Sequence, residues 1–352
     1  MRRPAYGRCC FTVCGPRGGQ GQKEFPRPIE RRKKRTEKMK RFLLAAGLVF
    51  FIIVFTRCSF VDQTKEPNAP RIFGATYMTR NNPYFDVLND AIEQVVESNG
   101  DILITRDPCQ DQEKQNDQIL EMIDEGIEVL FLNPVDWESV RPALIACKEA
   151  GVVVINVDTV VRDTEYVTSI IETDNYQAGV LCAQDMMERV DEAQIIMIDC
   201  PWQLSISNRI QGFLDTIDGN DNYRIVYTGI GHGEFEVSAK VMREVLREGV
   251  SFNVVLGGND PTALGALATL QQYRREEGVL IYGIDGSPDF KAMLKLGYVT
   301  GTSAQSPETI GRVAADIAYD YLNGEEVPEY LSIEPYMITG ENLDQYEVNG
   351  WQ

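Results

Sequence analysis

The sequence predicts an α/β protein made of two similar doubly wound parallel-sheet lobes. Three observations lead there. From Arg71 onward, short apolar runs alternate with runs of helical period, the pattern of parallel βαβ units with helices on both faces of a sheet. The chain has 352 residues, more than one hydrophobic core usually supports. It also repeats itself: "EGIEVLFLNPVDWESV" has the layout of "EGVSFNVVLGGNDPTAL", and "KEAGVVVINVDTV" that of "RREEGVLIYGIDGS", an internal repeat of a whole domain.

In chain order, "RIFGATY" is a short apolar run bounded by polar residues and predicts a strand. Phe85, Leu88, Ile92, Val95 and Val96 then recur at helical spacing. "DILITRD" predicts a second strand, and "EKQNDQILEMIDEG" a helix stopped by Gly126. "IEVLFLN", "WESVRPALIACKEAG" and "VVVINVD" continue the alternation as strand, helix and strand. "QIIMID", "YRIVYTG", "FNVVLGG" and "VLIYGID" supply the strands of the second half, with helical runs between them.

The repeat delivers chemistry as well as layout. Asn133 and Asn259 end matching strands, as do Asp158 and Asp285 one βα unit later; the spacings are 126 and 127 residues. Ligands of open parallel sheets bind outside the strand carboxyl ends. Two lobes facing each other would enclose a cleft, with Asn133 and Asp158 on one wall and Asn259 and Asp285 on the other. Any one of these residues could instead cap the helix that follows it. Four in matched pairs favour the cleft.

Composition narrows the function. Residues 1–58 carry 15 Lys/Arg against 3 Asp/Glu, net +12, and the rest 19 against 50, net −31. An organised part that acidic repels nucleic-acid phosphates. With one histidine, His232, a Ser-His-Asp, Cys-His or multi-histidine metal site has almost no material. The eight cysteines, Cys9, Cys10, Cys14, Cys58, Cys109, Cys147, Cys182 and Cys200, form no metal-type pair of pairs. Cys147 and Cys182 lie in apolar helical patterns and read as buried thiols.

The front end reads separately. Residues 1–38 are a basic tail or follow a mis-assigned start, with Met39 the better start. Residues 39–58 form a signal or anchor segment, whose apolar run from Phe42 to Thr56 is short for a membrane span and suits a signal core. Cys58 is a candidate lipidation site, although Arg57 stands where a small residue is usual before such a cysteine. Residues 59–70 read as a linker.

Asn gives and takes hydrogen bonds while an ionised Asp only accepts, so the four cleft residues suit a ligand rich in hydroxyls. Two buried carboxylates need a counter-charge, and Arg209 is the candidate. "NNPYFDVL" places Asn82 in a turn and Tyr84 and Phe85 at a helix start. Adjacent helical residues do not share a face, so one ring should project into the cleft and cover the C–H face of a sugar. Phe235 occupies the matching loop of the second half, and Gln305 follows another strand with a further amide. Paired carboxylates could also act as the acid and base of a glycosidase. No nucleophile, metal set or phosphate loop supports an enzyme.

"NNPYF", "LNPVD", "VDTVV", "TDNYQAG", "NRIQGF", "GGNDPTALGAL", "YGIDGSPD" and "SAQSPETIG" occur in order from Arg71 to about Met337. In this the chain resembles the type I periplasmic sugar-binding proteins, most closely the ribose-binding group. The resemblance implies that Asn82, Tyr84, Phe85, Asn133, Asp158, Arg209, Phe235, Asn259, Asp285 and Gln305 contact a monosaccharide. It implies lobes of residues 71–173 plus 306–332 and 174–305 plus 333–352, joined by three crossover segments near Thr173, Gln305 and residues 331–335. It further implies a monomer whose closed form is read by an ABC transporter permease; no cofactor is expected, and the front end already predicts an exported, membrane-tethered protein. A sensory role, presenting a sugar or furanosyl signal to a membrane kinase or chemoreceptor, is the alternative; a repressor of this fold would need a helix-turn-helix, which residues 1–58 lack. Thr159, Val237 and Ile284 stand where the family often has two arginines and an aromatic, so the ligand implied is not necessarily ribose. Trp202 lies near the cleft loops and could replace the aromatic.

Overall fold

The computed structural model describes residues 69–351; the basic tail, the apolar run, Cys58 and nearly all of the linker lie outside them. Among the described residues no helix is long and apolar enough to cross a membrane.

The first sheet contains β1 (Ile72–Thr76), β2 (Ile102–Arg106), β3 (Val129–Leu132), β4 (Val153–Val157), β5 (Ser169–Thr173) and β11 (Tyr330–Ile333). The second contains β6 (Ala193–Asp199), β7 (Tyr223–Ile230), β8 (Val254–Gly257), β9 (Leu280–Asp285), β10 (Gly301–Ala304) and β12 (Tyr336–Thr339). Their orders, β11-β5-β4-β3-β1-β2 and β12-β10-β9-β8-β6-β7, are the same arrangement twice. All pairings are parallel except β10 with β12. The order reverses at β1 and at β6, the switch points where such sheets open a crevice. Central strands β3 (VLFL) and β8 (VVLG) are buried throughout, as strands covered on both faces must be.

Among the described residues nine helices cover the sheets: α1 (Pro83–Ser98), α2 (Gln112–Asp124), α3 (Arg141–Ala150), α4 (Asn175–Arg189), α5 (Leu204–Ile217), α6 (Phe235–Glu248), α7 (Asp260–Tyr273), α8 (Pro288–Lys295) and α9 (Pro307–Leu322). Local chemistry sets several starts. Asn82 Oδ1 accepts the Tyr84 N–H at 3.1 Å and Pro83 opens α1. Asp111 caps α2, Asp174 caps α4 and Ser287 caps α8 in the same way. The helix expected over "WESVRPALIACKEAG" begins only at Arg141. Asp136 Oδ1 accepts the N–H groups of Glu138 and Ser139 at 2.9 and 2.8 Å, and this local turn outcompetes the helix there.

The lobes exchange chain three times: between β5 and α4, between β10 and α9, and between β11 and β12. Helix α9 returns to pack on α1 of the first lobe, where Ile310 and Ala314 join Leu88 and Ile92. At the first crossing, Glu172 is 6% exposed and accepts from Tyr330 Oη and Asn175 Nδ2, both at 2.9 Å. Burial pushes its carboxyl up to about 7 against those hydrogen bonds.

In the second lobe α4 and α5 pack through reciprocal glycines. A Cβ on Gly179 would lie 1.8 Å from the Arg209 carbonyl oxygen, and one on Gly212 would lie 2.0 Å from that of Tyr176. This close approach puts Arg209 of α5 beside Asn175, the first residue of α4. Gly212→Ala should cost about 1–3 kcal/mol of stability by overpacking; urea unfolding checks it. A second outcome concerns Glu172. Its folded-state value lies above the ordinary 4.5, so its contribution is fully present below about 4.5 and is lost as pH rises through about 7. Relative to Glu172→Gln, the wild type should lose on the order of 3 kcal/mol over that range. Parallel pH profiles of urea unfolding would contradict this.

Candidate functional site

The carboxyl ends of both sheets meet at one small cavity of ≈ 20 Å³. Its first-lobe wall is Met78, Asn82, Tyr84, Phe85 and Asp158; Gln203, Ser205, Ile206, Arg209, Asn259 and Asp285 form the second-lobe wall, with Gln305 at the crossing from β10 to α9. Eight of the ten residues expected from the sequence, all but Asn133 and Phe235, are brought together here.

Asp158 follows β4 with φ 65°. Its Oδ2 accepts from Asn133 Nδ2 at 2.9 Å and Thr159 Oγ1 at 3.2 Å. Asn133 itself is completely buried behind Asp158, where its Oδ1 takes the Met78 N–H at 3.0 Å. Asn133 thus braces the wall from behind. The Tyr84 hydroxyl lies between Asp158 and Gln305 Oε1, 3.5 Å from the latter. Tyr84 and Phe85 are both buried and both line the cavity, their rings edge to face at 5.3 Å. The helix start lets two adjacent rings reach it, where one was expected.

Across the cavity, Asp285 ends β9 with φ 150°. Its Oδ1 accepts from Gln305 Nε2 at 2.7 Å and lies 3.6 Å from Arg209 Nη1. Its Oδ2 is buried with no hydrogen-bond partner, as is Gln203 Nε2. Arg209 donates Nε to Asn175 Oδ1 at 2.8 Å and Nη1 to the Gly258 carbonyl at 3.0 Å. Asn259 caps α7, accepting the Thr262 N–H at 3.0 Å, and donates Nδ2 to the Gly233 carbonyl at 3.0 Å. The two asparagines therefore occupy equivalent strand ends and work differently. Asn259 caps its helix, while the chain after Asn133 turns before α3 begins.

Burial raises the carboxyls of Asp158 and Asp285 against the opposing pull of Arg209. The neighbouring Asp260, at the start of α7, is likewise raised by burial while it accepts from the Ser287 N–H and Thr302 Oγ1. One guanidinium thus serves several buried carboxylates.

Phe235 stands apart. It opens α6 with 41% of its surface exposed and does not line the cavity: the start of α6 is held against α7, where the Phe235 carbonyl abuts Gly265, and the side chain is left exposed. Trp202 also lies off the cavity, edge-on to the His232 ring at 4.6 Å. Ile284 is core, and Thr159, buried at 1% exposure, meets Ser205 Oγ across the lobes at 2.8 Å. Gln203, Ser205, Ile206 and Met78 were not expected. Gln203 and Ser205 flank a helix start in "WQLSISNR" as Asn82 does, a weak signal without the cleft to give it meaning.

Further interlobe bonds close the mouth: Gln110 Nε2 reaches Glu234 Oε1 at 2.5 Å and the His232 carbonyl at 3.5 Å. The structure is a closed form, with donors and acceptors from both lobes converging on one point.

Comparison with known proteins agrees with this geometry. A family model described as a periplasmic binding protein domain matches residues 73–326. The ribose import binding protein of Bacillus subtilis is 27% identical over 261 residues, 74% of this chain and 84% of its own. An ABC transporter solute-binding protein from Mycobacterium smegmatis, with glycerol bound, superimposes with a TM-score of 0.74 at 27% identity, covering 79% of this chain and 96% of that one. A counterpart from Bacillus halodurans with myo-inositol bound shares the fold, with a TM-score of 0.75 at 22% identity over 80% of this chain and 99% of that one. With two doubly wound lobes, three crossings and a polar cavity between strand ends, the chain belongs to the periplasmic binding protein family.

Proposed function

We propose that this protein is the extracytoplasmic solute receptor of an ABC importer and that its solute is a monosaccharide or a closely related polyol. The observation that carries this reading is the pair of buried, unpartnered polar atoms, Asp285 Oδ2 and Gln203 Nε2, in the lining of one interlobe cavity. An acceptor and a donor left bare in a buried place are costly unless a ligand pairs them. A sugar hydroxyl both gives and takes a hydrogen bond and so can serve either. Tyr84 and Phe85 offer the apolar surface that a sugar ring's C–H faces require.

In this reading, binding is hinge closure. The solute touches Asp158 and Asn82 of one lobe and Asp285, Arg209 and Asn259 of the other only when the lobes are together, so it stabilises that state by differential contact. The permease recognises the closed form, and the receptor performs no bond-making step. We assign export to the apolar run at 42–56, and retention at the membrane either to Cys58 as a lipidation site or to an uncleaved anchor. We take the receptor to act as a monomer.

Thermal unfolding against a panel of pentoses, hexoses, cyclitols and nucleosides tests the solute class. A solute at about 100 times its dissociation constant should add roughly 2.7 kcal/mol of stability. A panel without any shift would sink the sugar reading. For the solute that shifts the wild type, Asp285→Ala should weaken binding at least about tenfold, the loss of a charge-assisted hydrogen bond. The variant should still fold, because Arg209 keeps its bonds to Asn175 and to the Gly258 carbonyl and one of the removed oxygens is unpaired. Undiminished binding by that variant would refute the site assignment.

A further inference from the structure

The segment after β12 does not stay with the lobe it leaves. Leu343 is buried in the core of the second lobe, and Tyr346 and Val348 pack against that core. Tyr346 stacks on Tyr336, the first residue of β12 after the third crossing, with centroids 5.2 Å apart and planes 16° apart. Lys291 of α8, fully buried, donates its Nζ to the carbonyls of Glu347 and Gly350, both at 2.7 Å. Two carbonyls converging on one buried ammonium fix the course of the backbone, since charge-assisted bonds are the strong ones. The next residue, Trp351, packs on the core of the first lobe. Its ring meets Tyr84 edge-on, 5.8 Å between centroids and 73° between planes. Tyr84 is 1% exposed and lines the cavity.

From this geometry we infer that residues 340–351 are a strap that latches the closed lobes, and that Trp351 is a positioning residue for Tyr84. The strap is anchored in the second lobe by Leu343 and Lys291, and its last described ring rests on a first-lobe side chain that forms the cavity wall. The contact between Trp351 and Tyr84 exists only while the lobes are closed, so it adds to the closed state alone. Its release accompanies opening, and it therefore governs how long a solute stays. Trp351 also holds the Tyr84 ring against the side where the Tyr84 hydroxyl lies near Gln305 and Asp158. This part rests on the proposed solute-binding function; the latch itself does not.

The test is Trp351→Ala in the full-length protein, with Trp351→Phe as the conservative partner. Small-angle scattering without sugar reads the latch directly: the alanine variant should have a larger radius of gyration than wild type, and the phenylalanine variant should restore most of the difference. Stopped-flow with D-ribose and myo-inositol reads the positioning role. The alanine variant should release the sugar about three- to tenfold faster with little change in association, the scale of one aromatic pair. Urea unfolding of the phenylalanine variant should stay near wild type, while the alanine variant loses the packing of one part-buried ring; scattering and release, which lost packing alone would not move, separate positioning from general stability. Unchanged scattering together with unchanged release would overturn the strap. If neither sugar binds the wild type, the choice of solute has failed, and the scattering result alone upholds or overturns the latch.

Discussion

The cleft depends on how one buried guanidinium is held. Arg209 lies among carboxylates that two sheets deliver to the same place, and burial acts to neutralise each of them. The guanidinium is fixed by Asn175 at the first crossing and by the Gly258 carbonyl after β8. It reaches Asn175 only because α4 and α5 approach through Gly179 and Gly212. Asn175 also donates to Glu172, which takes the Tyr330 hydroxyl of β11. Helix packing, crossing and site charge are therefore one connected structure. The starts of α1, α5, α7 and α9 also converge on the cavity, through Asn82, Gln203, Asn259 and Gln305. The partial positive charge of helix N-termini offsets further carboxylate cost.

Much of this could be read from the chain. Alternation gave the layers, and the matched spacings of Asn133 with Asn259 and Asp158 with Asp285 gave both cleft walls, because strand-end chemistry is local. What escaped was whatever depends on distant packing. Both asparagines follow strands, but the N–H that each satisfies is set by its surroundings: Thr262 at the helix start for Asn259, Met78 on a neighbouring loop for Asn133. Phe235 has a suitable identity and position, yet the tight contact of α6 with α7 leaves its ring outside the cavity. Gln203, Ser205 and Trp351 gain meaning only when the lobes meet, and no periodicity along the chain records that meeting.

Backbone strain marks the same two carboxylates. Non-glycine residues rarely adopt positive φ, and Asp158 and Asp285 both do, each where its strand ends. Such strain persists only where the surroundings over-determine it. At Asp158 they plainly do: its N–H is bonded to Ile171 and its carboxylate to Asn133 and Thr159. At Asp285 the backbone is held by the Gln305 N–H and one oxygen by the Gln305 amide. The strained turns aim both side chains out of their sheets and into the crevice rather than along the strands.

The repeat has thus diverged at its most similar point. The first-lobe carboxylate spends its bonds within its own lobe, so that wall is built before the lobes meet. The second-lobe carboxylate takes Gln305 from a crossing and leaves one oxygen unpaired within the closed cavity. Closure places that oxygen where water is excluded, which makes the closed state costly by itself. The interlobe bonds of Gln110 with Glu234 and of Thr159 with Ser205 work in the opposite direction. A binding protein needs such a balance, because a ligand can shift an equilibrium only by the difference in its affinity for the two states. Direct bonds between the lobes bring the closed form within reach, and the bare oxygen of Asp285 leaves the deciding contribution to a hydroxyl that the protein does not itself supply.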